Sequence, residues 1–503
     1  MAAEPPSTAP KLPGRPEPAS IASSLPTPPL TPTLERAATV ARALTSDTAE
    51  SEKERRERIV RELSCHFSLF VAGWGDASSG PLIPYIQAHY GISYTVVSML
   101  FLGQAVGFIA AGLACAPLTE KYGLGKVIVV GSALQALAYA LLIAAFPFPA
   151  MPVLYAVGGL GLALQDAQAN VYVAGLPNSE KKLGWLHGSY GLGAACSPLA
   201  GTAFAAAGIL FARFWAVSLS IAALNIALLL YAFKFSYVTD TSEPVKLTVA
   251  EPGLPPAQVG EAFELSERHG PTSDASVTEK SIHGDEETGQ IEVPQLDTSL
   301  PSRTAQSSWK DNVLIKTLSS RTTSFAILFC FLYVGSEVSM GGWIVTWVRS
   351  DRNGGSDAGY IASGFWFGLM LGRFLLNPLT ARLGESNAVL LYTFIAMALE
   401  FSVWFADSLV GNGVVVGVIG FLLGPSYPIL VSVISKLLPR HQHAPAIALV
   451  AAFGQVGSAV FPFITGALAT RFSPVVLHPI MVILLGCQLI SFAGIPRVAR
   501  KAE

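Results

Sequence analysis

The stretch Ala116-Pro117-Leu118-Thr119-Glu120-Lys121-Tyr122-Gly123-Leu124-Gly125-Lys126 is a polar interval between two apolar runs, Ser93–Cys115 and Val127–Phe146. A helix needs about 20 predominantly apolar residues to cross a bilayer, and both runs reach that length. The interval therefore reads as a turn at a membrane surface that joins two antiparallel spans. Outward from it the pattern repeats. One set of six runs covers Leu63–Gln87, Ser93–Cys115, Val127–Phe146, Val153–Leu176, Leu183–Ala206 and Phe214–Phe233. A second set of six covers Phe325–Val348, Tyr360–Leu379, Val389–Ala406, Val414–Leu438, Ile447–Ala469 and Val475–Ile495. The expected fold class is an all-α membrane protein with 12 transmembrane helices in two six-helix lobes, residues 62–235 and 321–496.

The remaining segments have a different character. Residues 1–61 are rich in Pro, Ser, Thr and Ala and end in the charged run Glu52-Lys53-Glu54-Arg55-Arg56-Glu57-Arg58. They are expected to form a disordered cytoplasmic tail. They lack the apolar core of a cleaved leader, so the first helix is expected to serve as its own insertion signal. Residues 236–320 are rich in Pro, Ser, Thr and acidic side chains, with almost no aromatics. Such a composition buries no core and is expected to act as a disordered cytoplasmic linker, with residues 497–503 as a cytoplasmic end.

Composition agrees with this plan. Of the 503 residues, 51% are hydrophobic and only 13% charged, where a soluble globular chain carries about a quarter charged residues. A net charge of -2 provides no electrostatic footprint for nucleic acid. The cysteines Cys65, Cys115, Cys196, Cys330 and Cys487 lie in separate apolar segments without metal-ligand spacing, so they read as buried thiols. No nucleophile motif, zinc-binding motif or phosphate loop stands among the helices. Neither an enzyme, a cofactor nor a metal is expected.

Basic residues prefer cytoplasmic loops. With the amino terminus inside, the inner segments hold Arg55, Arg56, Arg58, Arg61, Lys121, Lys126, Lys181, Lys182, Arg382, Lys436 and Arg440, while the outer loops hold Arg213, Arg349, Arg352 and Arg471. Both ends and the linker are therefore expected in the cytosol. The sequence carries no Asn-x-Ser/Thr sequon that would check the outer side independently. The halves also resemble each other. Gly75-Asp76 in the first helix aligns with Ser336-Glu337 in the seventh, Leu176-Pro177 with Leu438-Pro439, and Gly193 with Pro198 aligns with Gly457 with Pro462. Repeats of this kind place a substrate site at the lobe interface near mid-membrane. Small residues also recur in any set of closely packed membrane helices.

The interval that opened this reading resembles the major facilitator superfamily signature Gly-x-x-x-Asp-Arg-x-Gly-x-Arg-Lys, with Glu120, Lys121, Gly123 and Lys126 at matching places and Ala116 where the signature begins with Gly. Its counterpart after the eighth helix, Asn377-Pro378-Leu379-Thr380-Ala381-Arg382-Leu383-Gly384, keeps Arg382 and Gly384. Such a loop pairs charges across helix ends at the inner gate, and its glycine permits a positive φ. Within the superfamily the chain is similar to the fucose–proton symporter group and its fungal relatives. The residues that carry this are Gly75-Asp76, the run Gly161 to Asn170 with Gln165, Asp166 and Gln168, the triplet Leu176-Pro177-Asn178, and Leu183 to Gly193 with Trp185, His187, Gly188, Tyr190 and Gly191. The resemblance implies a major facilitator fold and a functional carboxylate in each of the first and fourth helices, where Asp76 and Asp166 stand.

A charged carboxylate at the bilayer centre costs about 2.5–3.5 kcal/mol. Asp76, Asp166 and Glu337 lie well inside apolar helices, with Glu400 toward the outer end of the ninth. Three central carboxylates cost roughly 8–10 kcal/mol in a naive sum, so they face an aqueous cavity or hold protons part of the time. Both conditions suit a proton-coupled carrier, because a carboxylate drawn out of water holds its proton more tightly. No basic residue is expected near mid-membrane to neutralise them, since Arg373 falls toward the inner part of the eighth helix.

Asp166 and Asn170 share a helix face and offer a charged acceptor beside an amide, a pairing suited to sugar hydroxyls. Asp76 shares its face with Gly73 and Gly80, where either a backbone or a ligand can approach. The expected proton-coupling residues are Asp76, as acceptor, and Asp166, which links proton to substrate. His187, near Tyr190, is a ligand contact, a gate residue or an interfacial histidine bound to a carbonyl. Tyr333 and Glu337, four apart, with Tyr427 and Gln455, complete the candidate substrate contacts.

The expected function is symport of a sugar or similar polar solute with protons, by a monomer whose partners are the solute, protons and the lipid bilayer. The plasma membrane is the default location, with the vacuole or Golgi as the internal alternatives. A proton-driven exporter competes, because Gly193-Ala194-Ala195-Cys196-Ser197-Pro198-Leu199-Ala200-Gly201-Thr202 resembles the antiporter signature Gly-x-x-x-Gly-Pro-x-x-Gly-Gly. The fourth helix lacks the arginine that such exporters carry. A non-transporting sensor on the same fold is the third reading.

Overall fold

The computed structural model describes residues 52–234 and 317–497; the expected disordered tail up to residue 51, the linker and the last residues lie outside the described residues. Sixteen α-helices and no strand occur among the described residues. Those up to Ile59 are the first turns of a helix and form a unit of their own, and those from Val60 on form one compact body.

In the first half, α1 (Glu52–Ala77) and α2 (Ser79–Tyr90) make the first span and α3 (Tyr94–Val97) with α4 (Met99–Tyr122) the second. The third to sixth spans are α5 (Leu124–Leu142), α6 (Ala150–Ala174), α7 (Ser179–Ala206) and α8 (Phe214–Phe233). In the second half, the seventh span is α9 (Arg321–Asp351), and α10 (Tyr360–Leu375) with α11 (Asn377–Leu383) makes the eighth. The ninth is α12 (Glu385–Phe405), α13 (Leu409–Leu423) with α14 (Ser426–Leu437) forms the tenth, and α15 (Arg440–Arg471) and α16 (Leu477–Ala493) are the last two. Nine helices among the described residues are long and apolar enough to cross a membrane, or ten when the bent pair α10–α11 counts as one. The first and fifth spans fall short because they carry Asp76, His187 and a series of serines and glycines. Polar residues of that sort inside a membrane helix are a functional signal.

Four spans read as continuous from the sequence are interrupted, the second at Ser98 and the other three near a proline. Pro81, without an N–H, cannot bond back to the Ala77 carbonyl, and α1 parts from α2 at Ser78. Pro378 separates α10 from α11 with a bend of 57°. Pro425 divides α13 from α14. The charged run at residues 52–58 also departs from expectation, because it is helical and continuous with the first span. Glu52 and Glu54 at the helix start favour this, since acidic side chains complement the amino-terminal dipole.

Corresponding helices in the two lobes pack through corresponding glycines. Gly107 of α4 lies on the backbone of Ala156 and Leu160 in α6, and Gly368 of α10 lies on that of Gly417 and Phe421 in α13. Gly193 of α7 abuts the backbone of Phe70 and Trp74 in α1, as Gly457 of α15 abuts Phe331 in α9. Without a side chain at these points the helices approach backbone to backbone, which is how membrane helices associate when burial from water offers no drive. The surface turns repeat as well. Gly123 and Gly384 both take a φ of 83°, and their N–H groups bond to the Thr119 and Thr380 carbonyls at 2.9 Å.

The lobes meet along α2 with α9, α3 and α4 with α15, and α7 with α10. Toward the face opposite the helix ends that lead to the tail and linker, they are latched. The Arg349 guanidinium stacks 4.5 Å from the Tyr85 ring and bonds its hydroxyl, and Thr95 Oγ1 donates to Thr470 Oγ1 at 2.8 Å. Gly80 packs on the Gly341 carbonyl near the membrane centre. Nearer the terminal face, the Trp185 and Phe374 rings meet at 5.3 Å.

Candidate functional site

The proline break in the first span ends α1 one residue after Asp76, so this carboxylate sits where the helix opens into the lobe interface. Tyr190 Oη, from α7, donates to Asp76 Oδ2 at 2.7 Å, and Gln104 Nε2, from α4, donates to Oδ1. The two donors come from different helices and hold the carboxylate from both sides, a charge-assisted arrangement stronger than a neutral hydrogen bond.

Asp76 lines a cavity of about 60 Å³ shared by both lobes. Its walls include Gln104, Tyr190 and Phe101 on one side and Glu337, Trp366 and Gln455 on the other. The space accommodates roughly four water molecules and is too small for a monosaccharide, so substrate entry requires the lobes to part. On the second lobe, Arg373 Nη2 lies 3.9 Å from Glu337 Oε1, with both side chains about nine-tenths buried. This corrects the expectation that no basic residue reaches the carboxylates. Arg373 is the only basic residue within the Tyr360–Leu379 run, and its long side chain runs along the interface to a glutamate on another helix. The Trp366 indole N–H is buried without a hydrogen-bond partner, and the Tyr333 phenol lies against both Glu337 and Arg373. Buried donors left unpaired are costly, and the one on Trp366 belongs to a residue lining the cavity.

Of the other candidates Gln455 lines this cavity, whereas Asp166, Asn170, His187, Tyr333 and Tyr427 are not among its lining residues. Asp166 is near enough to Asp76 and to Tyr427 for its charge to act on both. It accepts a hydrogen bond from Asn170 Nδ2 at 3.1 Å, and the same amide bonds the Asp166 carbonyl at 2.9 Å, so Asn170 is already committed. Gln165, beside it in sequence, points into the first lobe, donating to Gln135 at 2.8 Å and accepting from Asn225 at 2.7 Å. This buried amide network ties the third, fourth and sixth spans together and fixes the face that α6 turns to the interface. His187 lies within electrostatic range of Arg373. Tyr333, one helical turn before Glu337, stacks on Phe329 at 6.1 Å, away from the cavity wall. Gln455 lines the cavity and accepts from Ser458 Oγ through its main-chain carbonyl at 2.7 Å and its side-chain oxygen at 3.3 Å.

At the turn between the second and third spans, Lys121 Nζ sits 5.2 Å from the Tyr122 ring, and Glu120, Lys121 and Lys126 are exposed. Thr119 accepts from Gln168 Nε2 at 2.7 Å, which couples this turn to the helix bearing Asp166. Arg382, at the corresponding turn of the second lobe, stands two residues before Gly384 and is exposed.

Glu400 belongs elsewhere. It pairs with His478 Nδ1 at 2.7 Å inside the second lobe, both fully buried, with the Trp347 ring edge-on at 4.2 Å. This pair links the ninth and twelfth spans. His478→Ala strands a buried acid, and removal of one partner of a buried pair costs about 3–5 kcal/mol. The expected result is a clear drop in the unfolding temperature of the purified protein, with His478→Gln less affected because its amide can still donate.

Sequence reasoning did not select Gln104, Arg373, Trp366 or Phe101. A lone arginine or glutamine in an otherwise apolar span was the available signal for the first two. Aromatic side chains are common in every helix, and none existed for the others.

Two lobes of membrane helices with buried charge at their interface are the architecture of a polytopic membrane transporter. The sequence matches the Major Facilitator Superfamily over residues 65–462, and the chain belongs to that superfamily: it is a multi-pass membrane transporter and not an enzyme. Bypass of stop codon protein 6 of Saccharomyces cerevisiae is 24% identical over 428 residues, covering 81% of this chain and 76% of that protein. A glucose/galactose transporter of Brucella abortus is 30% identical over 142 residues, which is 28% of this chain and 34% of that protein. The crystal structure of the transporter FucP in its outward conformation has the same fold, with a TM-score of 0.54 at 15% identity, covering 88% of this chain and 100% of that one.

Proposed function

We propose that this carrier moves a sugar or similar small polar solute together with protons, by alternating access. The observation that carries this reading is Asp76, a carboxylate at a helix break, held by donors from two helices and facing a cavity walled by both lobes. A group in that position exchanges a proton with whichever side the cavity opens to. Asp166, within reach of its charge, links proton to solute. Tyr190, Glu337 and Gln455 supply polar contacts at the cavity, with His187, Tyr427, Tyr333 and Asn170 behind them. Trp366 adds a stacking surface and a free N–H, features that suit the apolar face and hydroxyls of a sugar ring. The glucose/galactose transporter among the relatives and the fucose:proton symporter whose fold is shared support the same substrate class.

Glu120, Lys121, Gly123, Lys126, Arg382 and Gly384 form the gate turns on the terminal face, which the basic residues assign to the cytosol. The plasma membrane is the proposed location and the monomer the working unit. Gly193 of the Gly193–Thr202 run packs on α1 as its counterpart Gly457 packs on α9, so packing accounts for that glycine without an exporter.

The test is to add fucose and other hexoses to cells expressing the protein while external pH is recorded. Solute-triggered alkalinisation above that of control cells is expected. Faster efflux of preloaded metabolites under an inward proton gradient, with no solute-driven proton entry, would establish the exporter instead.

A further inference from the structure

Asp76 and Glu337 line the cavity and Asp166 acts on Asp76 from behind it; the guanidinium beside these carboxylates is that of Arg373, Arg349 being engaged by Tyr85 at the latched face. One cation in a low-dielectric site neutralises one carboxylate well at a time. Its present partnership with Glu337 is loose. The 3.9 Å separation is at the outer limit of an ion pair, and the Tyr333 phenol lies against both groups. On its other side Arg373 is close enough to Tyr190 for their charges to interact, and the Tyr190 hydroxyl is bonded to Asp76 at 2.7 Å. The Tyr190 phenol is thus bonded to the carboxylate of one lobe and lies within electrostatic range of the guanidinium of the other.

We propose that Arg373 is a counter-ion shared between the lobes. It neutralises Glu337 while Asp76 holds a proton, and it is drawn past Tyr190 toward Asp76 when that proton leaves. Because Asp76 belongs to the first lobe and Arg373 to the second, this exchange converts a protonation change into a force between the lobes. The inference rests on the proton-coupled reading and adds to it the residue that senses the proton. The other ionisable groups facing Asp76 are Asp166, Tyr139 and Tyr190, and those facing Arg373 include Tyr333, His187 and Tyr427. Only Arg373 among them is a permanent cation.

The sharing predicts opposite effects from removing the two members of one pair. Arg373→Gln takes away the cation that competes with the proton at Asp76, so the midpoint of the pH–activity profile moves to higher pH. Glu337→Gln leaves Arg373 to Asp76 alone and removes a repelling carboxylate, so the midpoint moves to lower pH. Shifts of about one pH unit each correspond to tenfold changes in proton affinity. Solute counterflow, with fucose or another transported hexose at equal concentrations on both sides, is measured against pH for wild type, both variants and Arg373→Lys, with surface amounts matched.

Opposite shifts, with Arg373→Lys near wild type, support the shared counter-ion. Shifts in one direction, or profiles that fall in height without moving, mean a fixed structural pair and overturn it. Solute-driven alkalinisation is recorded in parallel on wild type. Its absence with opposite shifts present defeats the symport reading alone, and its presence with no shifts defeats this inference alone. If a single variant reaches the surface poorly, the Arg373→Gln/Glu337→Gln double variant substitutes: an alkaline shift supports sharing, and a wild-type profile overturns it.

Discussion

Asp76→Asn is expected to abolish uphill accumulation of solute and solute-driven alkalinisation while leaving a folded protein that still exchanges solute across the membrane. The substitution preserves the shape of the side chain. Tyr190 Oη, 2.7 Å from Asp76 Oδ2, can still donate to an amide oxygen there, and Gln104 can turn its own amide to accept from the new NH₂. The variant loses the titratable proton and the charge. A carrier whose cavity can neither take up nor release a proton has no link between solute and proton gradient, so it equilibrates solute instead of concentrating it. Both contacts become neutral hydrogen bonds, and exchange falls tenfold for each ~1.4 kcal/mol that this costs the site. Uptake, counterflow and external pH, all normalised to surface protein, check this. Retained accumulation would remove Asp76 from the proton pathway and leave Asp166 and Glu337 as the remaining carboxylates. Loss of exchange together with accumulation would mean that Asp76 binds solute directly.

The sequence made the repeated six-span plan visible because bilayer burial writes itself as long apolar runs, and each run falls on a helix or helix pair, although polar helix ends such as residues 52–62 and 116–122 extend beyond the apolar part. What it left unclear is where local rules compete. Pro81, Pro378 and Pro425 each sit inside an apolar run long enough to read as one helix, and only packing decides whether a proline kinks a membrane helix or breaks it. Asp76 was legible because an acid in a membrane span is expensive anywhere. Its partners were not. Gln104 and Tyr190 lie 28 and 114 residues away, and one-dimensional spacing says nothing about which face of one helix meets another. Arg373 illustrates the same limit, because its position along the eighth span pointed toward the surface while its side chain reaches Glu337. Glu400 looked like the other buried acids by sequence. The structure separates it from them by a histidine nearly eighty residues on.

Gly73 and Gly80, which the sequence sets on one face with Asp76, lie on either side of the break at Ser78, and their substitution should have opposite consequences. A Cβ on Gly73 would collide with the Tyr190 carbonyl within the first lobe, and a Cβ on Gly80 would collide with the Gly341 carbonyl of the second. Both points are backbone against backbone, where no rotamer change can make room, and overpacking of a tight site costs about 1–3 kcal/mol or more. Gly73→Val forces α1 away from α7 inside a lobe whose integrity depends on that contact. It is expected to lower surface expression and thermal stability, with any protein that survives also losing the Tyr190–Asp76 bond. Gly80→Val leaves each lobe intact and obstructs only their approach. The contacts that close beside it, Tyr85 with Arg349 and Thr95 with Thr470, then fail to form. That protein should fold and reach the membrane in near-normal amount, bind solute from the opposite face, and fail to complete the cycle, so both uptake and counterflow fall to background. Single cysteines placed at Tyr85 and Thr470 in the Gly80→Val background should react with membrane-impermeant thiol reagents faster than in wild type. Equal labelling with normal transport would mean that the α2–α9 contact stays closed throughout the cycle and that the lobes pivot elsewhere.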